Sequence, residues 1–315
     1  MTLSQSRRLG WYEEKNDEKK FVLFALTLLL TATSQNAVWA GEILERIRQT
    51  GVITAGTRKD ATPFAYINEK GEWVGYSIDI LEIIRQNVEK ELGKPIRLKL
   101  VEVTPQNRFN KVKNKEIDIE CASSTFTWER DKIIDFSVSY FASGTKIMRK
   151  KGSSLGTIDS LAGRRIGVIP NTTNEQAIKI QQPAAIIVPI KNRIEGLEKL
   201  KKGEIEAIAG DGIVLQALQL ENNNGDRFEV VPEFPYVYEA YACMIPEDES
   251  AWRGMVNYSL VKFMEGIISD QPQQVEMYEK WFGEETGVTP YSREAINDYF
   301  QGIVDGYEWI PLISY

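Results

Sequence analysis

The chain has 315 residues, 43% hydrophobic, 26% charged and 10% aromatic. That ordinary globular mixture argues against disorder and multiple membrane spans, and fits two lobes. Its formal charge of −7 suits no nucleic-acid surface, and its zero histidines remove Ser-His-Asp and Cys-His catalysis and the usual zinc sites. The composition points to binding, with no metal and no cofactor.

Residues 1–40 read as an export signal. An apolar run from Phe21 to Leu30 follows Lys19 and Lys20, and Val38-Trp39-Ala40 sets small residues at −3 and −1 of a cut after Ala40. The run is shorter than the ~20 apolar residues of a membrane span. The stretch before it is long for such a signal and carries Glu13, Glu14, Asp17 and Glu18. A buried N-terminal helix is the competing reading. Export implies a soluble periplasmic protein, where an oxidising medium lets Cys121 and Cys243 close a loop. Two small buried residues that never meet is the alternative.

From Gly41 onward strands and helices alternate. A helix over 43–49 precedes a buried strand at 52–56, and residues 63–66 and 73–76 flank an Asn68–Gly71 turn as a hairpin. Ser77 is expected to cap a helix bearing Ile80, Leu81, Ile84 and Val88 at helical spacing. A strand over 97–103, a helix over 107–113 and a strand over 117–121 complete the first α/β set. The second set is a strand over 165–169, a helix over 171–180, a strand over 186–188, a helix over 194–201 and a strand over 204–209. Extended segments over 136–150 and 228–244 join the two, as a two-strand hinge rather than a flexible tether. Helices follow over 252–281 and 291–302. The predicted organisation is a signal over 1–40, a first lobe over 41–143, a second over 144–237, and a return to the first over 238–315.

Ligands of open α/β sheets bind beyond the carboxyl ends of strands. Those positions hold Arg58, Thr104, Arg108, Ser123, Thr125, Arg130, Asn171, Thr172, Thr173 and Asp211. Arginines and helix amides clasp carboxylates, and Asp211 suits an ammonium. One arginine with the hydroxyls accounts for an α-carboxylate and Asp211 for an α-ammonium. Two arginines are left for a second carboxylate. Each residue alone also has a plain structural reading, as a surface ion-pair member or helix cap.

Gly51-Val52-Ile53, Pro63-Phe64, Val74-Gly75-Tyr76-Ser77-Ile78-Asp79, Ser123-Ser124-Thr125, Glu129-Arg130 and Ile134-Asp135-Phe136-Ser137 resemble the solute-binding proteins of polar amino-acid ABC transporters. Thr57-Arg58, Gln106-Asn107-Arg108, Asp118-Ile119-Glu120-Cys121, Thr172-Thr173-Asn174-Glu175 and Glu239-Ala240-Tyr241-Ala242-Cys243-Met244 are most similar to the members that bind glutamate and aspartate. The resemblance implies a type II periplasmic binding fold, with a ligand cleft between two lobes and closure about the hinge. It implies a monomer that delivers its amino acid to the permease subunits in the inner membrane.

It also implies roles. Arg130, with Ser123, Thr125 and Thr172, would hold the α-carboxylate, Asp211 the ammonium, and Arg58 and Arg108 the side-chain carboxylate. Two departures stand out: Pro105 replaces a usual serine, and Arg193 stands near the place of a usual histidine. Glutamine, asparagine or another polar amino acid is the alternative ligand. An enzyme resembling cyclohexadienyl dehydratase is the alternative class, with Glu120, Glu175 and Glu239 as its candidate acids. A site of arginines and Asp211 alone predicts affinity that stays flat from pH 5 to 8.

Overall fold

The computed structural model describes residues 41–285 and 287–308, so the expected export signal lies outside the described residues. In chain order the elements are α1 (Glu42–Thr50), β1 (Val52–Thr57), β2 (Asp60–Ala61), β3 (Ala65–Ile67), β4 (Trp73–Val74), α2 (Tyr76–Leu92), β5 (Arg97–Glu102), α3 (Arg108–Lys113), β6 (Ile119–Glu120) and α4 (Trp128–Asp131). There follow β7 (Asp135–Lys150), β8 (Arg165–Val168), α5 (Thr173–Gln181), β9 (Ile186–Pro189), α6 (Arg193–Lys202), β10 (Ala207–Asp211) and α7 (Gly212–Leu220). β11 (Phe228–Val231), β12 (Val237–Ile245), α8 (Ser250–Ile268), α9 (Pro272–Phe282) and α10 (Arg293–Glu308) complete the described chain.

One curled sheet runs through the molecule in the order β5-β1-β6-β12-β7-β10-β8-β9, with β11 beside β7. β5, β1 and β6 pair in parallel at one side, and β10, β8 and β9 at the other. The antiparallel pair β7 and β12 joins the two parallel groups. Parallel strands need helical crossovers, which is why each group reads in sequence as strand–helix repeats.

β7 is long enough to serve two cores. Its Tyr140 and Phe141 pack with α1, α2 and α8–α10 in a core rich in rings, including Phe64, Tyr76, Tyr241 and Phe282. Ile147 and Met148, six or seven residues on, enter two mainly aliphatic clusters of the other parallel group, one of which also holds Phe228. Ile213 and Val214 of α7 reach back into the ring-rich core. The Cys121 and Cys243 sulfurs are bonded across a sequence separation of 122 residues, tying the end of β6 to β12 inside that core.

Three expectations shift. α2 starts one residue before Ser77, with Gly75 at its N-cap and no side-chain cap. Gly75 has φ 139°, and a Cβ there would lie 2.0 Å from the Phe64 carbonyl oxygen, so the close chain approach sets the boundary. The Ser77 hydroxyl instead lies 2.9 Å from that of Tyr140. The strand expected over 204–209 is Ala207–Asp211, because Gly203 closes α6 in the left-handed conformation and the Glu204 amide bonds back to Lys199. The strand expected over 117–121 shrinks to Ile119–Glu120, with the Ile117 amide turned back to Lys111.

Candidate functional site

The loops that follow the parallel strands converge on one polar cluster. Arg58 comes directly after β1, Arg108 opens α3, Ser123 to Thr125 follow β6, and Arg130 lies on α4. Thr172 and Thr173 open α5 after β8, Arg193 opens α6 after β9, and Asp211 ends β10. Ser123 and Asn171, each in a loop after a parallel strand, have φ 50° and 64°. Left-handed backbone is costly away from glycine and recurs where loops position functional groups.

At one end of the cluster three arginines are buried: Arg58, Arg108 and Arg193 are 5%, 4% and 7% exposed. Arg58 donates through Nε and Nη2 to Asp60 Oδ1 at 2.9 and 2.6 Å. Arg193 donates to Asp211 Oδ2 at 3.3 Å and to the Asp60 carbonyl at 3.4 Å. Arg108 Nη1 donates to Ser124 Oγ at 2.6 Å, and Ser124 donates in turn to Glu120 Oε2 at 2.7 Å. Nε of Arg108, Nε of Arg193 and Oε1 of Glu120 are buried with no hydrogen-bond partner. Burial lowers the Arg58 pKa against the pull of Asp60, and the neighbouring Arg193 and Arg108 charges lower it further. Burial likewise raises the pKa of Glu120, with Arg108 opposing. A cavity of about 210 Å³ beside Asp60, Tyr66, Arg193 and Val214 borders this end.

Arg130 lies between the ends. It donates to the Thr125 carbonyl at 2.7 Å, and its guanidinium lies 5.1 Å from the Phe109 ring, which Arg108 also faces at 5.2 Å.

At the other end sits a carboxylate. Glu239 of β12 is 3% exposed. Its Oε2 accepts from the hydroxyls of Thr125 at 2.5 Å and Thr173 at 2.7 Å. Its Oε1 accepts from the Thr145 hydroxyl at 2.7 Å and the Asn174 amide at 3.0 Å. Burial, followed by the nearby Asp211 charge, pushes its pKa up to about 7, with the threonine hydroxyls opposing.

The predicted residues thus come together, with two differences. The Thr172 hydroxyl faces its own helix end, donating to the Ile169 carbonyl and accepting from the Glu175 amide. Asp211 occupies the N-cap of α7 without a side-chain cap and pairs with Arg193 instead. Of the candidate acids, Glu175 is held by the Asn171 amide and Lys179, which leaves Glu120 and Glu239 in the cluster. Sequence reasoning missed Asp60, Ser124 and Thr145, and gave Glu239 no part in binding. Glu239 left a signal: it shares its strand face with Tyr241 and Cys243, so period-two register turns a charge inward.

Residues 53–284 match the bacterial extracellular solute-binding proteins, family 3. The chain belongs to that family. It is similar to the glutamate/aspartate import solute-binding protein of Salmonella typhimurium, with 30% identity covering 83% of this chain and 85% of that one. It is also similar to the ABC transporter glutamine-binding protein of Bacillus subtilis, 28% identical over 84% of this chain and 95% of the other. Among solved structures, an ancestral arginine-binding protein bound to glutamine superposes with a TM-score of 0.65 at 28% identity, covering 74% of this chain and all but 1% of that one. The fold of this solute-binding protein is therefore the two-lobed type II periplasmic architecture. Its relatives named here are binding proteins, not enzymes.

Proposed function

We propose that this protein is the amino-acid-binding component of an ABC importer, taking acidic L-amino acids in the periplasm and presenting them to its permease. Lobes over 41–143 with 238–315, and over 144–237, close about β7 and β12. Hinge closure of periplasmic binding proteins is a general repertoire, applied here to these strands. The observation that carries the ligand reading is the arginine end: three buried guanidiniums, two of them with an orphaned Nε. A buried unpaired donor is costly, and a ligand carboxylate relieves it with charge-assisted bonds worth about 1.5–3 kcal/mol each.

In this reading Arg58, Arg108 and Arg193 face the side-chain carboxylate. Arg130, Ser123, Thr125 and Thr173 face the α-carboxylate, with Thr172 holding their helix end. Asp211, steadied by Arg193, takes the ammonium. The Salmonella relative supports glutamate or aspartate. The Bacillus relative favours glutamine as the second reading, because Asp60 and Glu120 already offset part of the arginine charge.

Calorimetry with L-glutamate, L-aspartate, L-glutamine and L-arginine separates these. The expected result is micromolar or tighter binding of an acidic amino acid, about −8 kcal/mol, with glutamine weaker. Glutamine binding more tightly than both acids sinks the acidic reading.

A further inference from the structure

Glu239 occupies hydroxyls that an incoming ligand needs. A threonine hydroxyl has one proton to donate, and those of Thr125 and Thr173 both go to Glu239 Oε2. An ionised Glu239 only accepts, so it holds both. A protonated Glu239 donates from one oxygen, which lets a hydroxyl turn and donate to a carboxylate beside it.

The charges around it favour that exchange. Four arginines, Arg58, Arg108, Arg130 and Arg193, share the cluster with four carboxylates, Asp60, Glu120, Asp211 and Glu239. With all ionised the cluster is neutral, and a proton on Glu239 leaves one positive charge for an amino acid of charge −1. The groups facing Glu239 are Thr145 on β7, Tyr241 on β12, Thr125 in the loop after β6, and Thr173 with Asn174 on α5. Asp211 on β10, Arg130 on α4 and Arg108 on α3 act on it by charge. Asp211 is already paired with Arg193, and the Asn174 amide bonds both carboxylates, at 3.0 Å to Glu239 and 3.4 Å to Asp211. Asp60, Glu120 and Asp211 each have an arginine within 4.0 Å, and among the described residues Glu239 is the one of the four carboxylates in no ion pair.

We infer that Glu239 takes up a proton when an acidic amino acid binds, coupling ligand capture to pH and making Glu239 a residue that selects for anionic ligands. The proton comes from the solvent onto a Glu239 oxygen, and no other bond is made or broken. This rests on the acidic-ligand reading above.

The size follows from a titration near 7. At pH 8 about a tenth of such carboxyls carry the proton, so a site that binds only when protonated is about tenfold weaker there than at pH 5.5. Glutamate keeps one charge state across that range. The test is calorimetry of L-glutamate with the parent protein at pH 7.5 in phosphate and in Tris, whose ionisation enthalpies differ. Uptake of about three-quarters of a proton, with affinity falling about tenfold from pH 5.5 to 8, is expected. Glu239→Gln should abolish the uptake, flatten the profile and bind glutamate more tightly than the parent at pH 8. Tight glutamate binding with no proton exchanged overturns the inference and leaves the acidic-ligand reading standing. Undiminished uptake in Glu239→Gln overturns it too, by placing the proton elsewhere. Absence of binding to any acidic amino acid at every pH overturns both. The parent measurement decides even if the variant fails to fold.

Discussion

The two ends of the polar cluster are built on opposite rules. At the arginine end each of three guanidiniums has a carboxylate within 4.0 Å, yet Arg108 Nε, Arg193 Nε and Glu120 Oε1 have no hydrogen bond. At the Glu239 end, four donors meet the two carboxylate oxygens, and neither oxygen lacks a partner. A folded chain normally satisfies its buried polar atoms, and in the proposed reading a ligand carboxylate supplies the acceptor that the two arginine donors lack. The second already holds an anion of its own, with which an arriving carboxylate would compete. In the proposed reading the difference separates affinity, which the arginine end would supply, from conditional affinity, which the Glu239 end would impose.

Breaking the arginine end gives the largest effect. Truncating one side of a buried charge pair costs about 2–5 kcal/mol, whereas a guanidinium bond to a neutral amide oxygen, charged on one side only, is worth about 1.5 kcal/mol, the lower end for bonds to charged groups. Arg58→Ala and Arg108→Ala should therefore weaken glutamate at least about thirtyfold and glutamine by about tenfold or less, measured by calorimetry. The two variants differ in stability. Asp60, the partner of Arg58, is 31% exposed at its side chain and recovers water. Glu120, across from Arg108, is fully buried, and removing its cation strands a charge, so Arg108→Ala should unfold at the lower temperature. Equal losses for glutamate and glutamine would erase the contrast between the ends.

How far the sequence reached follows the same division. The alternating strands and helices were legible because inner parallel strands such as β1 and β10 are largely buried and read as apolar runs, and helices close on residues such as Gly51 and Gly203 in left-handed caps. Arg58, Arg108, Arg130 and Asp211 were legible because strand ends point into the cleft. The pairings were not. Thr125 meets Glu239 across 114 residues and Arg193 meets the Asp60 carbonyl across 133, distances over which no local pattern carries information. Thr172 and Thr173 are adjacent and chemically alike, yet helix phase sends one hydroxyl to the cap and the other to Glu239. The flat pH profile expected from arginines and Asp211 fails to allow for Glu239 for the same reason.

Removing one donor at the Glu239 end should give an intermediate effect. The Thr173 hydroxyl bond favours the ionised form, so Thr173→Val leaves the carboxylate less stabilised and raises its pKa above that of the parent. The midpoint of glutamate affinity against pH then moves upward, by up to about one unit for a bond worth about 1.4 kcal/mol. Affinity at low pH falls as well, because one donor to the ligand is lost. An unmoved midpoint with reduced affinity would reduce Thr173 to a ligand contact with no hold on Glu239.

The adjacent residue supplies the smallest effect and the sharpest control. Thr172 spends its hydroxyl on the Ile169 carbonyl and the Glu175 amide, inside the first turn of α5. Replacing an N-cap threonine by alanine costs about 1 kcal/mol of stability. Thr172→Ala should therefore lower the melting temperature by a few degrees, leave the pH midpoint where the parent has it, and weaken glutamate less than Thr173→Val does. The comparison of two neighbouring threonines holds helix, loop and residue type constant. Only the direction of the hydroxyl differs, so a midpoint that moved equally in both variants would place the pH response in the α5 helix end rather than in Glu239.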